Sequence, residues 1–463
     1  MSNLLAMIGS SGHALDVFQQ ALNVIQSNVS NSSTPGYAAQ SLNLEAAPLD
    51  AAGGLAGGVA AAGLDNSRDQ YAEEQVQQQT QMLGRYTAQA QATSAIQSLF
   101  DVSGTGGVSA ALSSLFTAFS SWSANTSDAS AQQSVMDAAS NVATAVQDLR
   151  SSLSASSQEV GSQIASTVTQ INNIGTQIQA YNVQRLTESS PDPGEEAQLY
   201  SALDNLSQLT NFTTVTQANG QVTVMLGNGS PLVIGGQQND LSSASTSSGT
   251  EILDAQGQDV TAQITGGQLG GMLDVQNSVI GSILGGSSQP GSLNEFASSL
   301  ADTVNQILES GTVSTAAGAS AGSALFTYDP TDAAGTLAVN SSTSAAQLAP
   351  VDSTGNANGN ANQLASLESA PLALLGGKTL TQYFGQIASG VGAANQTATD
   401  NQTSQTQVVA SATSLVNQVS GVSLDAEATN VLQFERAYQA SAQVLTVMNT
   451  LVDSVLSMVQ PWS

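Results

Sequence analysis

The sequence predicts a mainly α, elongated protein whose N- and C-terminal helices form a coiled-coil inner domain, joined to a helical middle domain that carries one small β-meander. Three observations lead there. Apolar residues recur at helix-seam spacing near both ends, a long Ala/Ser/Gln-rich stretch between them keeps a helical period, and one short stretch alternates with period two between hairpin turns.

The 463 residues suffice for two or three domains of ordinary size. Only 9% are charged and 4% aromatic. Helices rich in Ala, Ser and Gln bury less area per residue than Leu- or Phe-rich ones, so an extended or assembled architecture is expected over one dense globule. Six basic residues stand against 34 acidic ones, a formal charge of −28, and Arg68, Arg85, Arg150, Arg185, Lys378 and Arg436 are scattered singly. Binding nucleic acid needs clustered cations that displace counterions from phosphate, so that partner is excluded, and the same shortage argues against docking on an anionic membrane. Cysteine is absent, which removes disulfides and thiolate chemistry. The first twenty residues hold no Lys or Arg and no long apolar run, so no cleavable secretory signal is expected, and no segment has the length of apolar chain that spans a bilayer.

Along the chain, Leu15, Phe18, Leu22, Ile25 and Val29 are spaced 3, 4, 3 and 4 apart, the seam of a helix that packs on another helix. It ends at Thr34-Pro35-Gly36-Tyr37, where Pro at the second and Gly at the third position suit a type II turn. Residues 41 to 64, Ala/Gly-rich, read as extended linker. From about 69 to 186 the pattern is helical, interrupted at Gly104 to Gly107, with Ile164, Val168, Ile171, Ile174 and Ile178 as an apolar stripe. The turn Pro191-Asp192-Pro193-Gly194 precedes a further helix through Leu209. Val222, Val224 and Leu226 then alternate between Asn219-Gly220 and Asn228-Gly229, the preferred hairpin dipeptides, and predict a meander over about 212 to 235. A loose Ser/Thr/Gly tract follows, helix resumes at Leu269 and from Leu293 to Leu308, and the Gly/Ser/Asn-rich segment at about 311–365 shows no decided pattern. The C-terminal pattern is the strongest: Val431, Phe434, Tyr438, Ser441, Leu445, Met448, Val452, Val455 and Val459 alternate spacings of 3 and 4. Spacing alone fits a coiled-coil seam and an amphipathic helix of a bundle equally.

Catalytic chemistry finds little footing. The single histidine, His13, has no partner in the sequence for zinc or triad chemistry and reads as a packed or surface residue. Gly377-Lys378-Thr379 resembles the end of a phosphate loop, but Leu372 stands where that motif needs glycine, and Gly104 to Gly107 lacks the strand and third glycine of a dinucleotide loop. The acidic pairs Glu73/Glu74 and Glu195/Glu196 read as solvated helix-end charges. No catalytic, cofactor or metal residue is expected.

Both ends resemble bacterial flagellar axial proteins, the family of rod, hook and hook-associated subunits. Ala21 to Tyr37 (ALNVIQSNVSNSSTPGY), with Gln40, is similar to the family's N-terminal signature of a helix, an Asn-rich end and a Thr-Pro-Gly-Tyr turn; Ala39 stands where hook-associated members usually carry Arg. Gly421 to Glu427 (GVSLDAE) and Phe434 to Ala440 (FERAYQA) are similar to its C-terminal signature. In the middle, Asn228 to Gly236, Gly266 to Asp274, Val304 to Ile307 and Ala324 to Phe326 resemble ordered landmarks of hook-associated members. Near 327 to 360, where larger members carry outer domains, this chain has a short connection, so those domains are expected to be missing or reduced.

The resemblance implies a secreted subunit that passes the flagellar type III export channel and assembles at the extracellular hook-filament junction, adapting flexible hook to stiff filament in service of swimming motility. Its implied partners are copies of itself in a ring or helical layer, the hook protein, the second hook-filament junction protein and an export chaperone in the cytoplasm. It further implies an inner axial domain made from 1–60 together with 405–463, and a helical middle domain at 61–404 with a β-rich part at about 210–265. The expected assembly interface is Leu15, Phe18, Leu22, Ile25, Val29, Phe434, Tyr438, Leu445, Met448, Val452 and Val455, with Thr34 to Tyr37 as turn. Ordering some seventy to ninety terminal residues costs on the order of 1 kcal/mol each, which one hairpin with Ala, Ser and Gln outer faces repays poorly; folding coupled to assembly follows. A rod or hook subunit, a secreted adhesin and a peptidoglycan-acting enzyme are the competing readings.

Overall fold

The structure, a computed structural model, describes residues 2–48, 57–100, 106–187, 192–227, 229–246, 249–286 and 289–459. The chain starts with α1 (Ser2–Asn31) and an antiparallel ribbon of β1 (Gln40–Ala46) and β2 (Val59–Asn66). Helices α2 (Gln70–Gln97), α3 (Gly107–Ala124), α4 (Ala129–Gln184) and α5 (Pro193–Leu209) follow. At 1.5 Å per residue α4 is roughly 84 Å long.

The starts of these helices are written in their caps. Asp69 accepts from the Ala72 amide, Asp128 from Ser130, and Asp192 from Gly194 and Glu195 with Pro193 in the first turn. Each aspartate answers helix-end N–H groups that have no partner inside the helix.

Four strands, β3 (Phe212–Thr216), β4 (Val222–Leu226), β5 (Ser230–Ile234) and β6 (Gln237–Gln238), form an antiparallel meander in that order, and β7 (Ser242–Thr246) pairs with β8 (Gly249–Leu253). Val222, Val224 and Leu226 face inward, and Gly220, at φ 82°, makes the turn between β3 and β4. Beyond lie α6 (Gly267–Asp274), a π-helical stretch Val275–Ile280, α7 (Gly281–Leu284) and α8 (Ser292–Glu309). Then come β9 (Phe326–Thr327), α9 (Ala333–Thr336), β10 (Ala338–Val339), α10 (Gly359–Ser366), α11 (Leu380–Ser420) and α12 (Leu424–Val459). A capping box of Thr379 and Gln382 opens α11.

One continuous apolar core runs from Ala88 in α2 to Val391 in α11. Phe119 and Trp122 of α3, the α4 stripe Ile164, Val168, Ile171, Ile174 and Ile178, and Phe296 of α8 lie within it. Among the described residues none of α1 or α12 belongs to it. Those two helices pack along each other, and α1 also along the ribbon; neither lies along a helix of the body.

Several expectations need correction. Of the 41–64 stretch, 49–56 lie outside the described residues and the rest is not plain linker: Gln40, Leu42 and Leu44 alternate with period two, and 40–46 pairs with 59–66 across a bulge at Asn43/Leu44. The Ser/Thr/Gly tract, which falls within the β-rich part expected at about 210–265, is not loose but forms the β7–β8 hairpin, because β-branched Thr and Ile suit a ladder even where Ser dominates. The long helical stretch breaks a second time at Asn125 to Asp128, where Asp128 caps a new helix. The 311–365 segment folds onto the body through Leu325, Phe326, Leu337, Leu348 and Leu364, all buried. The boundaries at 60 and 405 fall inside β2 and α11. Gly104, Thr105, Pro191 and Asn228 lie outside the described residues.

Candidate assembly site where the two termini meet

The expected seam residues converge. The Phe18 and Phe434 rings stand 6.2 Å apart, centroid to centroid, at 41°. Ile25 is buried, while Leu15, Phe18, Leu22, Phe434, Leu445, Met448 and Val452 are half-buried. Val29, Tyr438 and Val455 are exposed in the single chain. A spacing of 3 or 4 both approximate one turn of 3.6, and here Ala437 takes the inward place given to Tyr438. On α1 the buried line is Val17, Ala21, Ile25 and Asn28, rotated from the expected stripe because the helix packs against the ribbon as well as against α12.

Asn28, 1% exposed, closes the pair. Its Nδ2 donates to the Glu427 carboxylate at 2.7 Å and to the Gln40 carbonyl at 2.8 Å; its Oδ1 accepts from the Tyr37 hydroxyl and the Gln40 amide, both at 2.9 Å. Every hydrogen-bonding position of the amide is filled, as a buried polar group requires. Gly36, at φ 73°, lets the Tyr37 amide reach the Thr34 carbonyl and turns that hydroxyl back to the helix. Ser420, also buried, accepts from the Ala39 amide through its carbonyl and from the Asp69 amide through its hydroxyl. The turn, the ribbon and the α11–α12 connection are thus tied at one place.

Beside this knot lies a charged cluster. Arg68 reaches Glu73 at 2.8 Å, the Gly36 carbonyl at 2.6 Å and Glu196 at 3.5 Å, with its guanidinium 3.6 Å from the Tyr200 ring centroid. Glu73 and Glu196 are therefore not the solvated charges expected: one member of each acidic pair turns inward to Arg68. Burial raises the Glu73 carboxyl against the pull of Arg68, lifts Asp204 to about 6 and pushes the Tyr200 hydroxyl up to about 12. His13 is exposed. Among the described residues no group of acidic and histidine side chains is arranged to hold a metal ion, and no helix is long and apolar enough to cross a membrane.

Asn28 and Glu427 lie inside the two terminal signature stretches, where sequence alone assigns them no part. Asn28 follows Ile25 by three residues on one helix face, which was the available signal. Nothing in sequence marked Arg68 beyond the rarity of basic residues.

Helix α12 has a second apolar stripe, about 100° round from the first by helix geometry. Val444, Val447, Leu451 and Val455 are 46, 58, 47 and 38% exposed. Soluble chains seldom leave a whole helix face of this kind uncovered.

A helix, a Thr-Pro-Gly-Tyr turn and a returning C-terminal helix clasped through Asn28 and Glu427 define a flagellar axial subunit. Residues 10–37 match the family described as flagella basal body rod protein, and 416–458 that described as flagellar basal body rod FlgEFG protein C-terminal. Residues 93–326, just over half of the chain, match the flagellar hook-associated protein FlgK helical domain, and the chain belongs to the FlgK family of flagellar hook-associated proteins. Flagellar hook-associated protein 1 of Bacillus subtilis (strain 168) is 26% identical over 99% of both chains, and that of Escherichia coli (strain K12) 24% identical over 98% of this chain and 99% of its own. The structure of the flagellar hook junction protein FlgK from Burkholderia pseudomallei superposes with a TM-score of 0.64 at 17% identity, covering 75% of this chain and all of that one, a likeness of fold.

Proposed function

We propose that the chain is a non-catalytic structural subunit of the hook-filament junction, joining the flexible hook to the stiff filament and needed for filament assembly and swimming. The carrying observation is the exposed stripe of α12: a helix with two apolar faces, one occupied by α1, needs a neighbour for the other. Heterologous contacts between identical subunits generate rings or helical layers, so the first occupant is another copy, with the hook protein below and the second junction protein above. The scarcity of charge on both stripes fits a tight layer. Export by the type III route and a cytoplasmic chaperone that covers α12 before assembly complete the proposal, and the expected inner unit comprises the terminal helices with the ribbon.

Replacing Val447 and Leu451 together by Asp tests it. Both side chains are exposed, so the purified double variant is expected to keep its helical content while cells carrying it lose filaments and spread no further than a deletion strain on soft agar. Full swimming by that variant would remove the reading.

A further inference from the structure

The terminal pair and the body are joined at one place, through the chain segments at 67–69 and 421–423, the approach of the Thr34–Tyr37 turn to α5, the Ala39 amide on the Ser420 carbonyl and the Asn66 side chain on Glu196. Arg68 lies in the first segment and reaches the turn. Its side chain is 3% exposed, and it holds groups from both sides: the Gly36 carbonyl on the terminal side, Glu73 of α2 and Glu196 and Tyr200 of α5 on the body side. Asn66, the last residue of the ribbon, donates to both Glu196 oxygens at 3.0 Å, so one carboxylate serves ribbon and arginine together. A cation is tolerated at such burial only with this degree of pairing. The contact is also tight enough to require glycine opposite: a Cβ on Gly36 would stand 2.3 Å from the Ala197 carbonyl oxygen.

We infer that Arg68 is a positioning residue, the pin that fixes the angle between the terminal helix pair and the body. Its planar fork donates to the Glu73 carboxylate and the Gly36 carbonyl in different directions and sets its charge beside Glu196, while its face rests on Tyr200, which a lysine ammonium cannot do. The pin rests on the assembly function only for its use: in a junction subunit it sets how the inner layer presents the body outward.

The chain contains no cysteine, so two can be introduced as unique spin-label sites. Labels at Gln26 in α1 and Thr169 in α4, both exposed, report the angle as a distance distribution in the purified full-length protein. The expected result is one narrow peak for the parent, and for Arg68→Lys and Arg68→Met a distribution at least twice as wide, with the circular dichroism and melting of the body unchanged. Identical distributions in parent and both variants overturn the inference. So does broadening accompanied by loss of body helix, which would make Arg68 a folding residue. Should Arg68→Met alone fail to fold, Arg68→Lys, which keeps the charge, decides. The measurement needs no flagellum: absence of the parent protein from hook tips would sink the proposed function and leave this result standing.

Discussion

The Asn28 amide and the Glu427 carboxylate, 399 positions apart, meet in a buried hydrogen bond of 2.7 Å. Removing one partner of such a pair leaves a buried charge unanswered, a loss on the order of 3 kcal/mol. Asn28→Leu is expected to loosen α12 by this amount, and Asn28→Asp by more, since it sets a second carboxylate against Glu427. Glu427→Gln keeps an acceptor and should be nearly neutral. Arg436 is the only basic residue in either terminal helix, so the rate of tryptic cleavage after it reads the loosening directly.

Gly36 holds φ 73° against the α5 backbone. Gly36→Ala adds about 1 kcal/mol of left-handed strain together with a clash that the Ala197 carbonyl cannot avoid without moving. A lowered urea midpoint and reduced soft-agar swimming are expected, whereas Pro35→Ala, at an exposed position, should change either little.

Asp204 is lifted from 3.8 to about 6, first by burial and next by Glu73. A carboxyl whose folded value lies above its unfolded one stabilises the fold fully below pH 3.8 and loses that contribution as pH rises through 6. Between pH 4 and pH 8 the loss is on the order of 2 to 3 kcal/mol at 1.36 kcal/mol per pH unit. Melting of the parent should fall over this interval more steeply than that of Asp204→Asn; equal slopes would rule out Asp204 as the source.

Among the described residues, α12 buries only Glu427, and α1 buries Val17, Ala21, Ile25 and Asn28, whereas α4 contributes a full stripe to the core. Low contact density means low free energy of local opening. Amide exchange on the free subunit should therefore be fast in 2–27 and 430–459 and slow in 135–178. Uniform protection across all three would show that the terminal pair is stable without neighbours.

The long helices were legible because Ile164 to Ile178 and Phe434 to Val452 repeat at helical spacing over many turns, and the meander because Asn219-Gly220 punctuates a period-two run. The ribbon was not: Ala and Gly in 59–63 carry no alternation, and only pairing with Asn43 to Ala46 makes them a strand. The 311–365 segment hid its order because its anchors, from Leu325 to Leu364, are single apolar residues spaced too irregularly to form a pattern. Both terminal stripes were legible as helix faces, but which residues of α1 turn inward depends on the ribbon, a third body that α1 alone does not reveal. Arg68 illustrates the remaining gap, since its partners Gly36, Glu73, Glu196 and Tyr200 are gathered only by the fold.

The exposed stripe of α12 is aliphatic and its neighbours are mostly Ala, Ser, Thr and Gln. Attraction between such faces comes from released water and not from opposite charges, so dilution of salt leaves it almost untouched, while sulfate and sucrose strengthen it. The same origin gives it an unusual thermal sense: apolar burial weakens on cooling. A layer built on Val444, Val447, Leu451 and Val455 is held least firmly in the cold, and chilling in dilute urea is the gentlest way to take it apart.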